Sequence, residues 1–314
     1  MKKKFIIAFI TSIICFTLLY STVLSSLFFD KPAVATDDKP NQTVEIEPEA
    51  DTKVKNEIMF LLMGVDAQNV KKSKGTRTDT MMLTRVNFET GEINILSIPR
   101  DTRLSVKGNL DKVNAAHAYG GPELSIDTIR DFLGIDLEYY VKVDYQIVQD
   151  VVEAIGGVEI DVPMNMKYND PTADPPLNIN LKKGLQTLNG KQAHDFLRFR
   201  HNNSYTVGYP EGDVGRIKSQ QYFVKELVKQ TLTAKNIVKI PSLIKTYYEN
   251  VETNIPLTLM LKSAASAGKI NVESMETATI PGAGEYIKGI SYYIYNREET
   301  NTLVNEMFGE YVLD

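Results

Sequence analysis

The stretch TMMLTRVNFETGEINILSIP, residues 80–99, decides the architecture of this 314-residue chain. Two apolar runs of strand length, 80–88 and 92–99, flank NFETGE, whose polar, glycine-bearing composition reads as a hairpin turn. Strands joined by so short a turn run antiparallel, because a parallel return needs a crossover of a dozen or more residues. A further buried run, EIMFLLMGV (57–65), precedes the pair, and helical and strand patterns alternate after it. The hairpin therefore argues against a purely parallel doubly wound sheet. It argues for an α/β layered domain on a mixed sheet.

Outward from the hairpin, GPELSIDTIRDFLG (121–134) carries Leu124, Ile126, Ile129 and Leu133 at helical spacing and ends in glycine. YYVKVDY (139–145) alternates as a strand, QIVQDVVEAIGG (146–157) reads as a helix capped by paired glycines, and GVEIDVP (157–163) is another strand. LNGKQAHDFLRF (188–199) predicts a short helix leading into extended chain, and DVGRIKSQQYFVKELVKQTLTAK (213–235) a long one. NIPLTLMLKSAASAG, METATIPG and GISYYIYN supply the remaining elements. No second linker interrupts residues 56–314, so they form one domain.

The N-terminal end is different in kind. Residues 5–29 carry no charge, and that length lets a helix cross a hydrocarbon core of roughly 30 Å. Lys2, Lys3 and Lys4 place residues 1–4 in the cytoplasm and the rest outside. Ala33-Val34-Ala35 loosely resembles a signal-peptide cleavage site, but the apolar run exceeds a typical signal core, and an uncleaved single-pass anchor in the cell membrane is the better reading. Residues 30–55, rich in Pro, Asp, Glu, Lys and Thr, read as a disordered tether.

Composition narrows the chemistry. The only cysteine, Cys15, lies in the apolar run, which excludes a disulfide framework or a thiol nucleophile in the outer domain. Histidine occurs only at 117, 194 and 201, and neither a nucleophile elbow nor a Walker loop is present. A net charge of −5 and a cytoplasmic tail of a few residues argue against a nucleic-acid partner.

Charge recurs instead at the ends of apolar strands. Asp66 ends FLLMGVD, Arg77 and Asp79 precede the next strand, and Arg100 and Asp101 end the third. At a spacing of two, Arg77 and Asp79 face the same side in extended chain, as do Arg198 and Arg200 in FLRFRHN. Arg216, Gln220, Phe223, Val224 and Leu227 share one stripe of the long helix, whose N-terminus, near Asp213 and Gly215, favours anions. Lys112 lies in LDKVNAAHAYGG, read as a loop. Arginine forks match phosphate oxygens, and paired carboxylates hold a hard divalent ion such as Mg²⁺. Together they suit a metal-bridged diphosphate, which a tethered domain outside a membrane would meet on a lipid carrier.

LLMGVD, GTRTDTMML, LSIPRDT, DKVNAAHAYGG, AIGGVEIDVP, LNGKQAHDFLRFR and GDVGRIKSQQ resemble, in order, the motifs of the LytR-CpsA-Psr proteins of bacterial envelopes. The likeness spans residues 60–221 and weakens toward the C-terminus. It implies a three-layer α/β/α sandwich with a hydrophobic pocket for a polyprenyl chain. It also implies transfer of a glycopolymer of wall teichoic acid or capsular polysaccharide type from a polyprenyl diphosphate to a peptidoglycan hydroxyl. By this resemblance Asp66 and Asp79 bind Mg²⁺, with Mn²⁺ as a substitute, and Arg77, Arg100, Lys112, Arg198, Arg200, Arg216 and Gln220 hold the diphosphate. Arg100 and Asp79 are then the catalytic residues, with Arg100 near the attacking hydroxyl.

The chain departs from the family's pattern at Gln68 and Ser219, where arginines are common, and at His194, where an apolar residue is usual. Two other functions would use much the same residues. One is a hydrolase that splits the diphosphate with water; the other is a non-catalytic lipid- or glycan-binding envelope regulator.

Overall fold

The computed structural model describes residues 56–66, 70, 73–173 and 176–313. The expected tail, membrane span and tether, and Gln68, lie outside the described residues. Among the described residues, no helix is long and apolar enough to cross a membrane.

Period-two alternation along the first strands sets how the sheet is covered. In β1 (Glu57–Val65), Met59, Leu61 and Met63 point to one face, where they join Met81 and Leu83 of β2 (Thr78–Asn87) and Leu96 next to them on β3 (Ile93–Ser97). Leu62 and Gly64 point the other way, beside Thr80 and Met82. The 80–99 hairpin forms as the turn chemistry requires: β2 and β3 pair antiparallel, Leu83 opposite Leu96. Asn87 closes the turn, its Oδ1 accepting from the backbone N–H of Glu89 and Thr90.

A ribbon of β4 (Arg103–Val106) and β5 (Asn109–Lys112) follows, then α1 (Ala115–Leu133), β6 (Tyr139–Asp144) and α2 (Tyr145–Ile155). Two more ribbons come from β7 (Val158–Val162) with β10 (Gly184–Leu188), and β8 (Met166–Asp170) with β9 (Leu177–Leu181). After α3 (Gly190–Arg198) and α4 (Asp213–Thr231) come α5 (Ala234–Ile237), α6 (Ile240–Tyr247), β11 (Glu252–Thr253), α7 (Leu257–Ala265) and β12 (Met275–Thr279). The hairpin of β13 (Gly282–Ile287) and β14 (Ile290–Tyr295) and the helix α8 (Arg297–Phe308) close the described chain.

The central sheet is mixed, in the order β11-β6-β1-β2-β3-β12. Ile126, Ile129 and Leu133 of α1 and Val304, Met307 and Phe308 of α8 cover one face. Val224 and Val228 of α4 pack against Met82, Ile93 and Ile95 on the other. β6 runs parallel to β1, and β12 parallel to β3, while β2 runs against both neighbours. The C-terminal ends of β1, β3, β6 and β12 and the start of β2 therefore meet at one edge of the sheet. Leu61, fully buried and paired with both Leu83 and Tyr140, sits at the centre of the structure. Leu61→Ala is expected to lower unfolding stability by about 3 kcal/mol, read as a shift of the urea midpoint at constant slope. A shift below about 1 kcal/mol would place the core elsewhere.

Four sequence expectations need correction. The helix expected from 121 begins at Ala115, so the segment after Lys112 is helical rather than a loop, and Lys112 itself ends a strand. A break at Gly121 (φ 74°, ψ −161°) hides this start, because Pro122 re-initiates the helix where its missing N–H costs nothing. The long helix ends at Thr231, not 235, where the Thr231 and Thr233 hydroxyls and the Asn236 amide take up its last carbonyls. Arg198 is the final residue of α3, not part of extended chain. Finally, Gly64 pairs with Thr80 but Val65 pairs with Thr78, so Asp79 is the extra residue of a β-bulge and the alternation that would align it with Arg77 is broken.

Candidate active site

The shared sheet edge gathers charge. Asp66 follows β1, Asp79 occupies the bulge of β2, and Arg100 follows β3. The turn carrying Arg100 is held firmly: the Thr102 N–H donates to Pro99 O at 2.9 Å, and the Asn114 N–H to Arg100 O at 3.2 Å. Arg100 Nη1 donates to Asp79 Oδ1, and Arg200 Nη2 lies 3.7 Å from that same oxygen. Arg198 Nη2 donates to Asp66 Oδ2 at 2.7 Å. On the first turn of α4, Arg216 Nη2 lies 2.7 Å from Asp213 Oδ1. Asp66, Asp79, Arg198, Arg200 and Arg216 line one cleft of about 250 Å³, and Asp79, Arg100, Arg216 and Gln220 line the crevice beside it.

Burial and neighbouring charge act differently on the two arginines of the crevice. Burial opposes the charge on Arg100, but Asp79, Asp213 and Asp101 outweigh it and hold the guanidinium above its ordinary value. For Arg216 burial prevails, with Arg200 and Arg100 adding repulsion, and its affinity for the proton is lowered. Its Nε is buried without a hydrogen-bond partner among the described residues, as is that of Arg100. Two orphaned cationic donors in one crevice are what an incoming phosphate oxygen would satisfy.

Beside the charged cleft lies an apolar one. Leu62, Val143, Ile147, Val148, Val151, Leu197, Phe223, Val224 and Leu227 line a slot of about 260 Å³ under α2 and α4. Tyr145 lines both slot and cleft, and Gln220, Thr80 and Met82 line both slot and crevice. Burial, then the charges of Asp79 and Asp66, push the Tyr145 hydroxyl up to about 12, so it stays protonated. Arg198 stacks over its ring at 5.6 Å and His194 meets it edge-on at 4.5 Å. His194, an outlier in the sequence, thus props this wall.

Of the sequence candidates, seven converge on the shared edge: Asp66, Asp79, Arg100, Arg198, Arg200, Arg216 and Gln220. Arg77 and Lys112 stand apart from them. Arg77 is exposed before β2, near Asp111 and Tyr119. Lys112 Nζ pairs with Asp101 Oδ1 at 2.9 Å, which gives Asp101 its role at the end of β3. Tyr145 and Asp170 are additions that no charge pattern flagged, although Tyr145 directly follows the strand parallel to β1, a place where α/β sheets bind ligands.

No cluster of three metal-ligating side chains exists among the described residues. Asp66 and Asp79 nevertheless suit a Mg²⁺ ion by donor chemistry, since this ion takes one or two carboxylates and completes its shell with substrate phosphate and water. Each directs one named oxygen to an arginine and both face the same cleft.

The sequence and the fold have relatives among known proteins. The model of the LytR_cpsA_psr family matches residues 22–309. The polyisoprenyl-teichoic acid–peptidoglycan teichoic acid transferase TagU of Bacillus subtilis (strain 168) is 28% identical over 98% of this chain and 96% of its own. A TagU of the same description from Oceanobacillus iheyensis is 32% identical over 82% of this chain and 77% of its own. The crystal structure of Bacillus subtilis TagV superposes with a TM-score of 0.67 at 28% identity, covering 81% of this chain and 98% of that one.

Proposed function

The chain belongs to the LytR_cpsA_psr family, and from this premise we propose that it is a membrane-anchored phosphotransferase. It moves a glycopolymer of the wall teichoic acid or capsular polysaccharide class from a polyprenyl-diphosphate carrier to a hydroxyl of peptidoglycan. The observation that carries the reading is the pair of shared walls around the slot: an apolar slot meets, at Tyr145, a cleft lined by six arginine and carboxylate side chains, and, at Gln220, the crevice of Arg100 and Arg216. A prenyl tail and a diphosphate are joined in one ligand in the same order. The names of the two TagU relatives support the teichoic acid class.

The chain's own groups act by positioning and charge neutralisation. The prenyl chain fills the slot, and Arg100, Arg198, Arg200 and Arg216 hold the diphosphate with Gln220 at its root. The acceptor oxygen attacks the phosphorus that carries the sugar, releasing its proton. A phosphodiester forms, the bridging P–O bond breaks, and polyprenyl phosphate leaves. Asp66 and Asp79 would hold Mg²⁺, or Mn²⁺ in its place, and when bound the ion neutralises charge developing on the phosphate oxygens. Arg77 and Lys112 line neither the cleft nor the crevice, and their proposed part is limited to the outer phosphate. The uncharged run of residues 5–29 anchors the protein in the cell membrane with its N-terminus cytoplasmic and its catalytic domain outside.

The test is to incubate the full chain with lipid-diphosphate-linked glycan, Mg²⁺ and peptidoglycan, and to follow the glycan by mass spectrometry. Covalent attachment to peptidoglycan with release of polyprenyl phosphate is expected. Free glycan phosphate in equal yield with and without acceptor would make the protein a hydrolase, and unchanged donor would make it a binding protein.

A further inference from the structure

The mouth of the charged cleft is aromatic, and no step described so far uses it. Tyr168, His201 and Tyr205 line the same cavity as Asp66, Asp79, Arg198, Arg200 and Arg216. The His201 and Tyr205 rings stack at 3.9 Å with an interplanar angle of 24°, and Tyr168 meets His201 edge-on at 6.0 Å. Tyr205 is 78% exposed, so one face of its ring is covered by His201 while most of the side chain stays open.

This loop is constructed rather than slack. His201 and Gly208 form an antiparallel bridge across it. Asn202 Oδ1 accepts from the N–H of Thr206 at 2.8 Å and of Val207 at 3.2 Å. Asn203 exchanges two hydrogen bonds with the backbone of Asn169, its Oδ1 accepting at 2.9 Å and its Nδ2 donating at 2.8 Å, which ties the loop to the end of β8. Within this frame Tyr205 takes φ 58°, a left-handed conformation that a tyrosine rarely adopts. A strained residue held by an over-determined surround, with its large ring left in solvent at a cleft mouth, is a recurrent mark of a binding position. Asp170 lines the same cleft; its Oδ1 accepts from the Thr172 N–H and hydroxyl and from the Ala173 N–H, so the carboxylate is fixed in place.

A stacked aromatic face beside a fixed carboxylate has the chemistry of a pyranose subsite: the ring takes the C–H face of the sugar and the Asp170 carboxylate accepts a hydroxyl. We propose that Tyr205, backed by His201 and Tyr168, is a stacking platform for the sugar attached to the diphosphate. The cleft then distinguishes a glycosylated carrier from the bare lipid diphosphate. This inference rests on the diphosphate reading of the arginine cluster and adds to it the substrate's next chemical group.

The test compares two probes on the full chain in detergent, farnesyl diphosphate and farnesyl diphosphate carrying a single N-acetylhexosamine, by calorimetry. The variant is Tyr205→Asn, which removes the ring and suits a left-handed backbone, so the loop stays intact. Tyr205→Asn is expected to weaken binding of the sugar-bearing probe about tenfold while binding of farnesyl diphosphate changes less than about twofold. Tyr205→Phe is expected to bind both probes as the wild type does. Equal binding of the sugar-bearing probe by wild type and Tyr205→Asn, or an equal loss for both probes, overturns the platform alone. Failure of the wild type to bind farnesyl diphosphate overturns the diphosphate reading and the platform with it.

Discussion

Arg100→Ala is expected to lower glycan transfer about a thousandfold while leaving the fold intact. The fold survives because what holds this turn is backbone: the Thr102 N–H on Pro99 O and the Asn114 N–H on Arg100 O remain after truncation. The activity does not, because Arg100 alone among the arginines both follows a central strand and donates to the bulged carboxylate, Asp79. Its guanidinium keeps its charge despite burial, through Asp79, Asp213 and Asp101. Charge fixed in advance is worth most where phosphate charge shifts in the transition state, since no reorganisation is then required. Arg100→Lys keeps the charge but loses the planar fork, and should recover only about tenfold of the loss. Initial transfer rates, with circular dichroism as the control for folding, provide the measurement. A rate within about tenfold of wild type for Arg100→Ala would remove this residue from the reaction centre.

Asp79→Asn should show a different signature. The amide matches the carboxylate in shape but removes the counter-charge between Arg100 and Arg200. Two arginines freed of their partner attract a diphosphate at least as well as before, so binding of a short prenyl diphosphate should hold or tighten. Transfer should nevertheless fall by about a thousandfold and lose its response to added Mg²⁺, because a hard divalent ion needs the ionised carboxylate. Loss of rate with retained binding separates a catalytic carboxylate from a structural one. If Asp79→Asn transfers glycan at the wild-type rate with Mg²⁺ present, the metal assignment to Asp79 is wrong. Asp66→Asn should follow the same pattern with a smaller drop of about tenfold to a hundredfold, its carboxylate being the more exposed of the two.

The strands were legible because period-two alternation and apolar runs report burial directly. EIMFLLMGV became β1 residue for residue, and NFETGE became a hairpin turn. Charge at strand ends foretold which side chains gather, for a topological reason: parallel strands lay their C-terminal ends on one edge, and an antiparallel neighbour brings its start there. The failures also have causes. A β-bulge has no signature in hydrophobicity, so the two-residue spacing of Arg77 and Asp79 promised a shared face that the register denies. The break at Gly121 made one helix look like a loop and a shorter helix. Tyr145 and Tyr205 were invisible because an aromatic residue beside a strand end or in a polar loop reads as core or surface until the loop's hydrogen bonds are known.

The bulge at Asp79 also ties this carboxylate to counting rather than chemistry. In a regular ladder every residue of β2 would have a partner on β1, and position 79 would have no freedom to aim elsewhere. Because Thr78 and Thr80 take consecutive partners and skip it, the carboxylate owes its direction to one surplus residue in the strand. A chain one residue shorter here would pair more smoothly and still look, by composition, like the same protein. It would have lost the spare unit of backbone that lets a sheet built for burial turn one acid outward into the charged cleft.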